Sequence, residues 1–446
     1  MFLFLYEVFN MLRWCMRIFI RSFGCTANLS DGEVLAGCLS HVGHKIAETL
    51  DIADIVIYNT CAVKEPTENR MIAILKRVPR TKKLIVAGCL PLINLERLHK
   101  EVRFDGIIGP AAGDRIIEVV RRVLEGYKVF ALEGAPNAKP SLKLPRLQRN
   151  PFVSIIPISC GCLGSCSYCC VVFARGRLRS HSPQEIVKRV RTDVASGIRE
   201  FWLTSQDTAC YGKDMNTSLA SLLKALCKVK GNFRIRVGMM TPSLANDILD
   251  DLIHAFRSKR IFKFLHIPVQ SGENSILKRM HRGYSVDEFR NIVNAFRSSF
   301  PRMTLATDVI CGFPGESEDS FQKTVDLINE IQPDIVNVSK FFPRPRTIAA
   351  KMQAEFIHSL EIKRRSRSIS KAVKKIALEK NHTWIGWTGK VFVDEAGGIP
   401  GSCIARNFAY KPVVLKDTNS ANIIGKTLNV EITKAHSTYL QGKMIE

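Results

Sequence analysis

The sequence predicts a three-part α/β chain. A doubly wound parallel-sheet domain comes first, an open (β/α)6 barrel follows, and a small all-β barrel ends the chain. Three observations predict this. Short β-branched runs alternate with helix-period segments over residues 16–134. The same alternation returns over residues 151–360, and it builds parallel sheets covered by helices. Residues 382–446 instead carry alternating strands broken by Gly and Asn turns, the pattern of a small β-barrel.

In the first part, "RIFIRSF", "DIVIYNT" and "KLIVAG" are the strand runs, and "DGEVLAGCLSHVG" and "NRMIAILKRV" carry helical periodicity. Residues 135–150 are basic, rich in Pro and aperiodic, and read as a linker. Six strand runs then alternate with helices: "FVSIIPIS", "EFWLTS", "RIRVGM", "KFLHIPV", "LATDVICG" and "DIVNVSK". Residues 361–381 are a basic, helical connector to the last barrel, whose strands are "GKVFVDE", "PVVLKD" and "TLNVEITKA".

The first twenty residues are apolar, but Glu7, Arg13 and Arg17 interrupt them. A membrane span needs about 20 nearly uncharged residues, and no small-residue cleavage site follows. The segment therefore reads as lying upstream of a true start at Met11 or Met16, with no membrane partner. Lys and Arg exceed Asp and Glu by 24. Such an excess suits a polyanion, most simply nucleic acid. Fourteen cysteines in a chain this long suggest metal or redox chemistry in a reducing, cytoplasmic compartment.

Cys162, Cys166 and Cys169 have the spacing CxxxCxxC. Three thiolates on one loop can wrap an iron–sulfur cluster and leave one iron open; a three-cysteine zinc site is the other reading. Cys160 and Cys170 lie off this register and read as buried or incidental thiols. A second set is dispersed. Cys25, Cys61 and Cys89 each follow the carboxyl end of a predicted parallel strand. Those ends share one sheet edge, where α/β proteins bind ligands. They are a cluster site or three core cysteines. Asn28, Asp31 and Glu33 follow Cys25 and suit either that site or a helix start.

The stretches "SFGCTANLSDGE", "NTCAVKEPTENR", "AGCLP", "GCLGSCSYC", "ARG", "LTSQDTACYG", "HIPVQSGENSILKRMHRGYS", "DVICGFPGESEDSF" and "WTGKVFVDE…GKTLNVEI", in this order, resemble the radical S-adenosylmethionine (SAM) methylthiotransferase family. The resemblance runs from Met16 nearly to the end. It implies a radical SAM barrel in the centre and a TRAM-like RNA-binding barrel at the end. It implies that Cys162, Cys166 and Cys169 hold a 4Fe–4S cluster that cleaves SAM. It implies that Cys25, Cys61 and Cys89 hold an auxiliary 4Fe–4S cluster carrying the sulfur to be inserted. An electron donor and a sulfur source are then required, neither of which the sequence names.

Under this resemblance the strand-end residues Gln206, Asp207, Gln270, Ser271, Gly312 and Glu316 are the SAM contacts, or loop caps and turns. Arg175 is a partner for the SAM carboxylate, a lining of the substrate channel, or a surface cation. Lys363, Arg364, Arg365, Arg367, Lys371, Lys374 and Lys375 on the connector, with Arg406, Tyr410 and Lys411 in the last barrel, are the candidate tRNA contacts. No proline follows the third cysteine in "CSYCCVVFARG", and "ARG" and "GMMTP" are present. These details resemble the archaeal and eukaryotic branch, which adds methylthio at carbon 2 of N6-threonylcarbamoyladenosine beside the tRNA anticodon. The chain reads "YLQGKMIE" at its end, unlike the membrane tail of eukaryotic members. Arg346 stands where the family usually has glycine. The alternatives are isopentenyladenosine in tRNA, a ribosomal-protein aspartate, and a non-catalytic, zinc-stabilised RNA-binding protein.

Overall fold

The computed structural model describes residues 15–416 and 420–445. Met11 and the charged positions Glu7 and Arg13 lie outside the described residues. Six parallel strands open the fold: β1 (Arg17–Ser22), β2 (Lys45–Ile46), β3 (Ile55–Thr60), β4 (Lys83–Gly88), β5 (Gly106–Ile108) and β6 (Val129–Ala131). Their order is β2-β1-β3-β4-β5-β6. All six residues of β3 are buried, as a central parallel strand covered on both faces requires. Its residues alternate between two cores. Ile55 and Ile57 face helices Thr26–His41 and Arg115–Leu124. Val56 and Tyr58 face helices Glu65–Lys76 and Leu95–Glu101. The sheet is therefore doubly wound.

The segment expected to be a linker is irregular but pinned. Leu142 is buried in the core of the central part. Leu147 N–H donates to the Glu33 carbonyl at 2.9 Å, and Arg146 Nη1 to the Ile155 carbonyl at 2.5 Å.

The central part has β7 (Val153–Pro157), a short antiparallel pair β8 (Ser159–Cys160) and β9 (Arg179–Ser180), then β10 (Glu200–Thr204), β11 (Arg234–Val237), β12 (Phe264–His266), β13 (Thr304–Cys311) and β14 (Ile335–Lys340). The parallel runs β7-β10-β11 and β12-β13-β14 meet through a bridge between Ile235 and Ile261. β7 and β14 are not paired with each other, so the six strands form an open barrel. Phe201, Leu203, Ile235, Val237, Leu265, Leu305 and Val309 point outward into the helical core. The alternate residues, Glu200, Trp202, Arg236, Phe264 and Asp308 among them, line the lumen. Capping boxes at Ser182/Glu185 and Ser285/Glu288 start two of the covering helices.

Helix Ser359–His382 runs from the barrel to the last part. There β15 (Thr388–Ala396), β16 (Cys403–Arg406), β17 (Pro412–Leu415), β18 (Thr427–Ala435) and β19 (Leu440–Met444) close in the order β15-β16-β17-β19-β18. The turn between β16 and β17 plugs the floor of the central barrel. Lys263 N–H donates to the Phe408 carbonyl at 2.8 Å. The Tyr410 ring packs edge-on to Phe262 and Phe264, with the Arg236 and Arg406 guanidiniums over it at 5.2 and 4.9 Å. No helix among the described residues is long and apolar enough to cross a membrane.

Candidate functional site

The CxxxCxxC loop leaves β8 through Gly161, whose φ is +80°. A Cβ there would lie 2.0 Å from the Arg177 carbonyl oxygen, so only glycine fits. Its N–H donates to Gln206 Oε1 at 2.6 Å. Farther along, Ser167 N–H donates to the Met280 carbonyl at 3.0 Å, and Ser167 Oγ to the Arg279 carbonyl at 2.8 Å. These bonds shape the loop before any ligand enters.

The sulfurs themselves accept hydrogen bonds. Gly164 N–H points to Cys162 Sγ at 3.2 Å, and Arg282 Nη1 points to Cys166 Sγ at 3.2 Å. The neighbouring Cys210 side chain holds the Cys162 thiol below its ordinary pKa, while the Cys210 thiol itself donates to the Asp207 carbonyl at 2.9 Å. Burial pushes the Cys169 thiol up to about 12. A buried thiol of this kind gives up its proton to a metal far more readily than to water.

The second set forms at the other sheet edge. The strand order reverses between β1 and β3, and this switch point is where open α/β sheets hold ligands. Cys25 follows β1 and Cys61 follows β3, so they straddle the switch. Cys89 follows β4, next in line. Gly88 has φ +94°, and a Cβ on it would lie 2.4 Å from the Thr60 carbonyl; the glycine lets the two strand ends close up. Asn28 and Asn59 brace them. Asn28 Nδ2 donates to Asn59 Oδ1 at 2.7 Å, Asn59 Nδ2 to Ser22 Oγ at 3.1 Å, and Gly24 N–H to Asn28 Oδ1 at 2.9 Å. Burial pushes Cys89 up to about 12 and also raises Cys61.

Arg175 corrects a sequence expectation. It is buried, so it is not the surface cation that one reading of the sequence allows. Its Nη2 pairs with Asp31 Oδ2 at 2.5 Å, the two side chains 4% and 11% exposed. Burial alone would lower its pKa, but Asp31 and the thiols of Cys89 and Cys25 hold it well above the ordinary value. Arg175 thus belongs to the dispersed set. Cys170 is not incidental either. It is buried with Ala174 in the core beneath the dispersed set, and its thiol donates to the Ala62 carbonyl at 3.6 Å. A second cross-connection lies nearby: Arg344 pairs with Glu68, which also accepts from Arg97 at 3.0 Å. The residues after one thiol set are therefore packed against the domain that carries the other.

Several proposed SAM contacts are engaged in the fold. Asp207 caps a turn, accepting from Ala209 N–H at 3.0 Å and Thr241 N–H at 3.1 Å. Ser271 is fully buried beside Thr324. Glu316 accepts from Gly312 N–H at 2.7 Å and pairs with Arg365 at 2.9 Å. Gln270 has φ +70°, and its side-chain amide makes no hydrogen bond among the described residues. Of these strand-end residues, Gln270 and the free amide of Gln206 retain groups for a ligand.

The proposed RNA contacts divide likewise. Lys363, Arg364, Arg367, Lys371, Lys374 and Lys375 are exposed. Arg364 pairs with Glu318 and Glu361. Arg365 is turned inward onto Glu316, Glu361 and Glu318. Lys411 is buried against Asp334 and Asn381, both at 2.7 Å. Arg406 pairs with Asp394, and with Tyr410 it plugs the barrel floor. Burial removes Arg365 and Lys411 from any RNA-facing surface, while Arg406 and Tyr410 are half-buried. The helical period decides the connector: positions 365, 369, 376 and 377 face inward, and the other cations face out.

Three family models match the chain: Uncharacterized protein family UPF0004 over residues 17–109, the Radical SAM superfamily over 156–328, and the TRAM domain over 385–445. A probable threonylcarbamoyladenosine tRNA methylthiotransferase of Pyrococcus abyssi is 42% identical over 432 residues, 96% of this chain and 100% of that one. The chain belongs to the radical SAM methylthiotransferase family. The family likeness extends to the threonylcarbamoyladenosine tRNA methylthiotransferase of Homo sapiens, 35% identical over 96% of this chain and 74% of that one. In fold, the chain is similar to the radical SAM methyltransferase TsrM of Kitasatospora setae, with TM-score 0.55 and 14% identity over 75% of each.

The residues present fit the iron–sulfur groups this family implies. Each set offers three thiols, donors or a guanidinium beside the sulfurs, and a sheltering loop. Among the described residues no three Cys, His, Asp or Glu side chains converge tightly enough to enclose one metal ion. Sequence reading missed Arg282, Cys210, the Asn28–Asn59 brace and the Arg344–Glu68 pair. Arg282 lies in the quoted motif "KRMHRGYS", but its partner is 116 positions away, and no local spacing reveals that.

Proposed function

We propose that the chain methylthiolates carbon 2 of N6-threonylcarbamoyladenosine beside the anticodon of tRNA, in the cytoplasm. One observation carries this reading: the segment that follows one three-thiol set is packed against the domain that carries the other, joined to it by the Arg175–Asp31 pair. Replacing an unactivated C–H by a sulfur group needs a hydrogen-abstracting centre and a sulfur-bearing centre side by side, because such a C–H has no useful acidity. When bound, two 4Fe–4S clusters and SAM supply the electron, the hydrogen abstraction and the sulfur.

The chain's own residues do the rest. Cys162, Cys166 and Cys169 would hold one cluster, and Cys25, Cys61 and Cys89 the other. Gly161 and Gln206 shape the first loop, and the Gln270 side-chain amide makes no hydrogen bond among the described residues. Lys363, Arg367, Lys371 and Lys374 form an exposed row with no carboxylate partner among the described residues, suited to the phosphates of a tRNA. A low-potential one-electron donor and a sulfur source act from outside the chain. The curated relatives named for threonylcarbamoyladenosine support this substrate over isopentenyladenosine or a ribosomal-protein aspartate.

Nucleoside analysis of tRNA from a deletion strain tests it. Wild-type chain should restore the methylthio nucleoside. Cys166→Ala should abolish both product and 5′-deoxyadenosine. Cys61→Ala should abolish product and leave 5′-deoxyadenosine formation largely in place. Full product from the Cys61 variant refutes the sulfur-bearing set. Replacing Lys363, Arg367, Lys371 and Lys374 together by Ala should weaken tRNA binding and flatten its log–log salt slope by about 3. An unchanged slope removes this row from the interface.

A further inference from the structure

Arg282 carries a charge that the protein leaves without a carboxylate. Its side chain is fixed on every side: Nε donates to the Tyr284 hydroxyl at 3.1 Å, Nη2 to the Pro268 carbonyl at 3.5 Å, and Nη1 to Cys166 Sγ at 3.2 Å. The residue is 9% exposed. Asp207 is the carboxylate within its field, but that side chain is already held by Ala209 and Thr241. Among the described residues Arg282 makes no ion pair. Guanidinium stays protonated in proteins, and burying it unpaired is costly. The group able to become its counter-charge is Cys166.

We propose that Arg282 is a positioning residue that sets the reduction potential of the cluster held by Cys162, Cys166 and Cys169. This rests on the reading above. Reduction adds one electron, and so one negative charge, to that site. Arg282 neither gains nor loses a proton, and its fixed positive charge stabilises the reduced form. Hydrogen bonds to cluster sulfurs and local charge are the protein's means of tuning such potentials. The dispersed set lacks this device. Its guanidinium, Arg175, is already neutralised by Asp31, so the effect should be confined to one set.

The test is an EPR-monitored redox titration, with dithionite as the reductant and no SAM present. It uses the full chain, anaerobically reconstituted, in a Cys61→Ala background. Arg282→Gln should lower the midpoint so that the reduction equilibrium falls at least tenfold, about 59 mV for one electron. Arg282→Lys should move it the same way by less. Without SAM in the cuvette, a residue that merely held SAM would not shift the potential. An unmoved midpoint with iron bound therefore overturns the proposal. If Arg282→Gln retains no iron, Arg282→Lys decides by the same criterion. Iron lost from both variants with native circular dichroism also overturns it, because Arg282 would then only support the ligand loop. A parent chain that binds no iron overturns the functional reading and this inference together.

Discussion

The two thiol sets are built in opposite ways. Cys162, Cys166 and Cys169 sit within eight residues on one loop, and two donors point at their sulfurs: Gly164 N–H and an arginine with no acid partner. Cys25, Cys61 and Cys89 come from three strand ends, and the arginine beside them is matched one-to-one by Asp31. The first set is local in sequence and has beside one of its sulfurs an arginine that makes no ion pair among the described residues. The second is assembled by topology and locally neutral. One arrangement favours accepting an electron; the other favours holding a group in a fixed place.

That contrast predicts different costs for losing each arginine. Arg175→Gln strands Asp31, 11% exposed, as a buried charge without its partner. Breaking such a pair costs about 3–5 kcal/mol. Arg282→Gln strands no carboxylate and should cost about 1–2 kcal/mol in lost hydrogen bonds. Urea unfolding of the metal-free variants should show this order, and adding Asp31→Asn to Arg175→Gln should recover most of the loss. Equal destabilisation by the two arginine variants would break the comparison.

The same contrast explains what the sequence disclosed. A ligand set on one loop is legible from spacing. A ligand set at three strand ends is legible once the strands are recognised, because a parallel sheet brings carboxyl ends to one edge. Pairs such as Arg175–Asp31, 144 positions apart, and Arg344–Glu68, 276 apart, follow no local period. The tie of "ARG" after the cysteine loop to Asp31 is not legible because the sequence does not show how the first sheet docks on the barrel. The connector cations failed in part for a simpler reason. Composition counts Arg365 with its neighbours, whereas the helix turns it inward onto Glu316. Arg346, at the family's glycine position, has φ +66°. It keeps the left-handed backbone a glycine would adopt and reaches the Leu92 carbonyl at 2.5 Å.

The barrel floor supplies the third balance of buried charge, and it sharpens the other two. Here acids lack full satisfaction. Glu200 is 1% exposed. Its Oε1 accepts from Trp202 Nε1 at 2.5 Å, while Oε2 has no partner, nor does Oδ1 of neighbouring Asp394. Burial, then the repulsion of Asp394, pushes Glu200 up to about 7; burial takes Asp394 up to about 6. A folded pKa raised above the unfolded value of 4.5 means that the native state binds the extra proton. Stability from Glu200 is therefore fully present below about pH 4.5 and is lost as pH rises towards about 7, by roughly 3 kcal/mol. Glu200→Gln keeps an acceptor for Trp202 and cannot titrate. It should flatten the fall in unfolding free energy between about pH 5 and about pH 7, and it should exceed wild type in stability above that range. Parallel stability curves for the two proteins would show that the floor charges are solvated, and that buried charge is left unbalanced only where the thiols are.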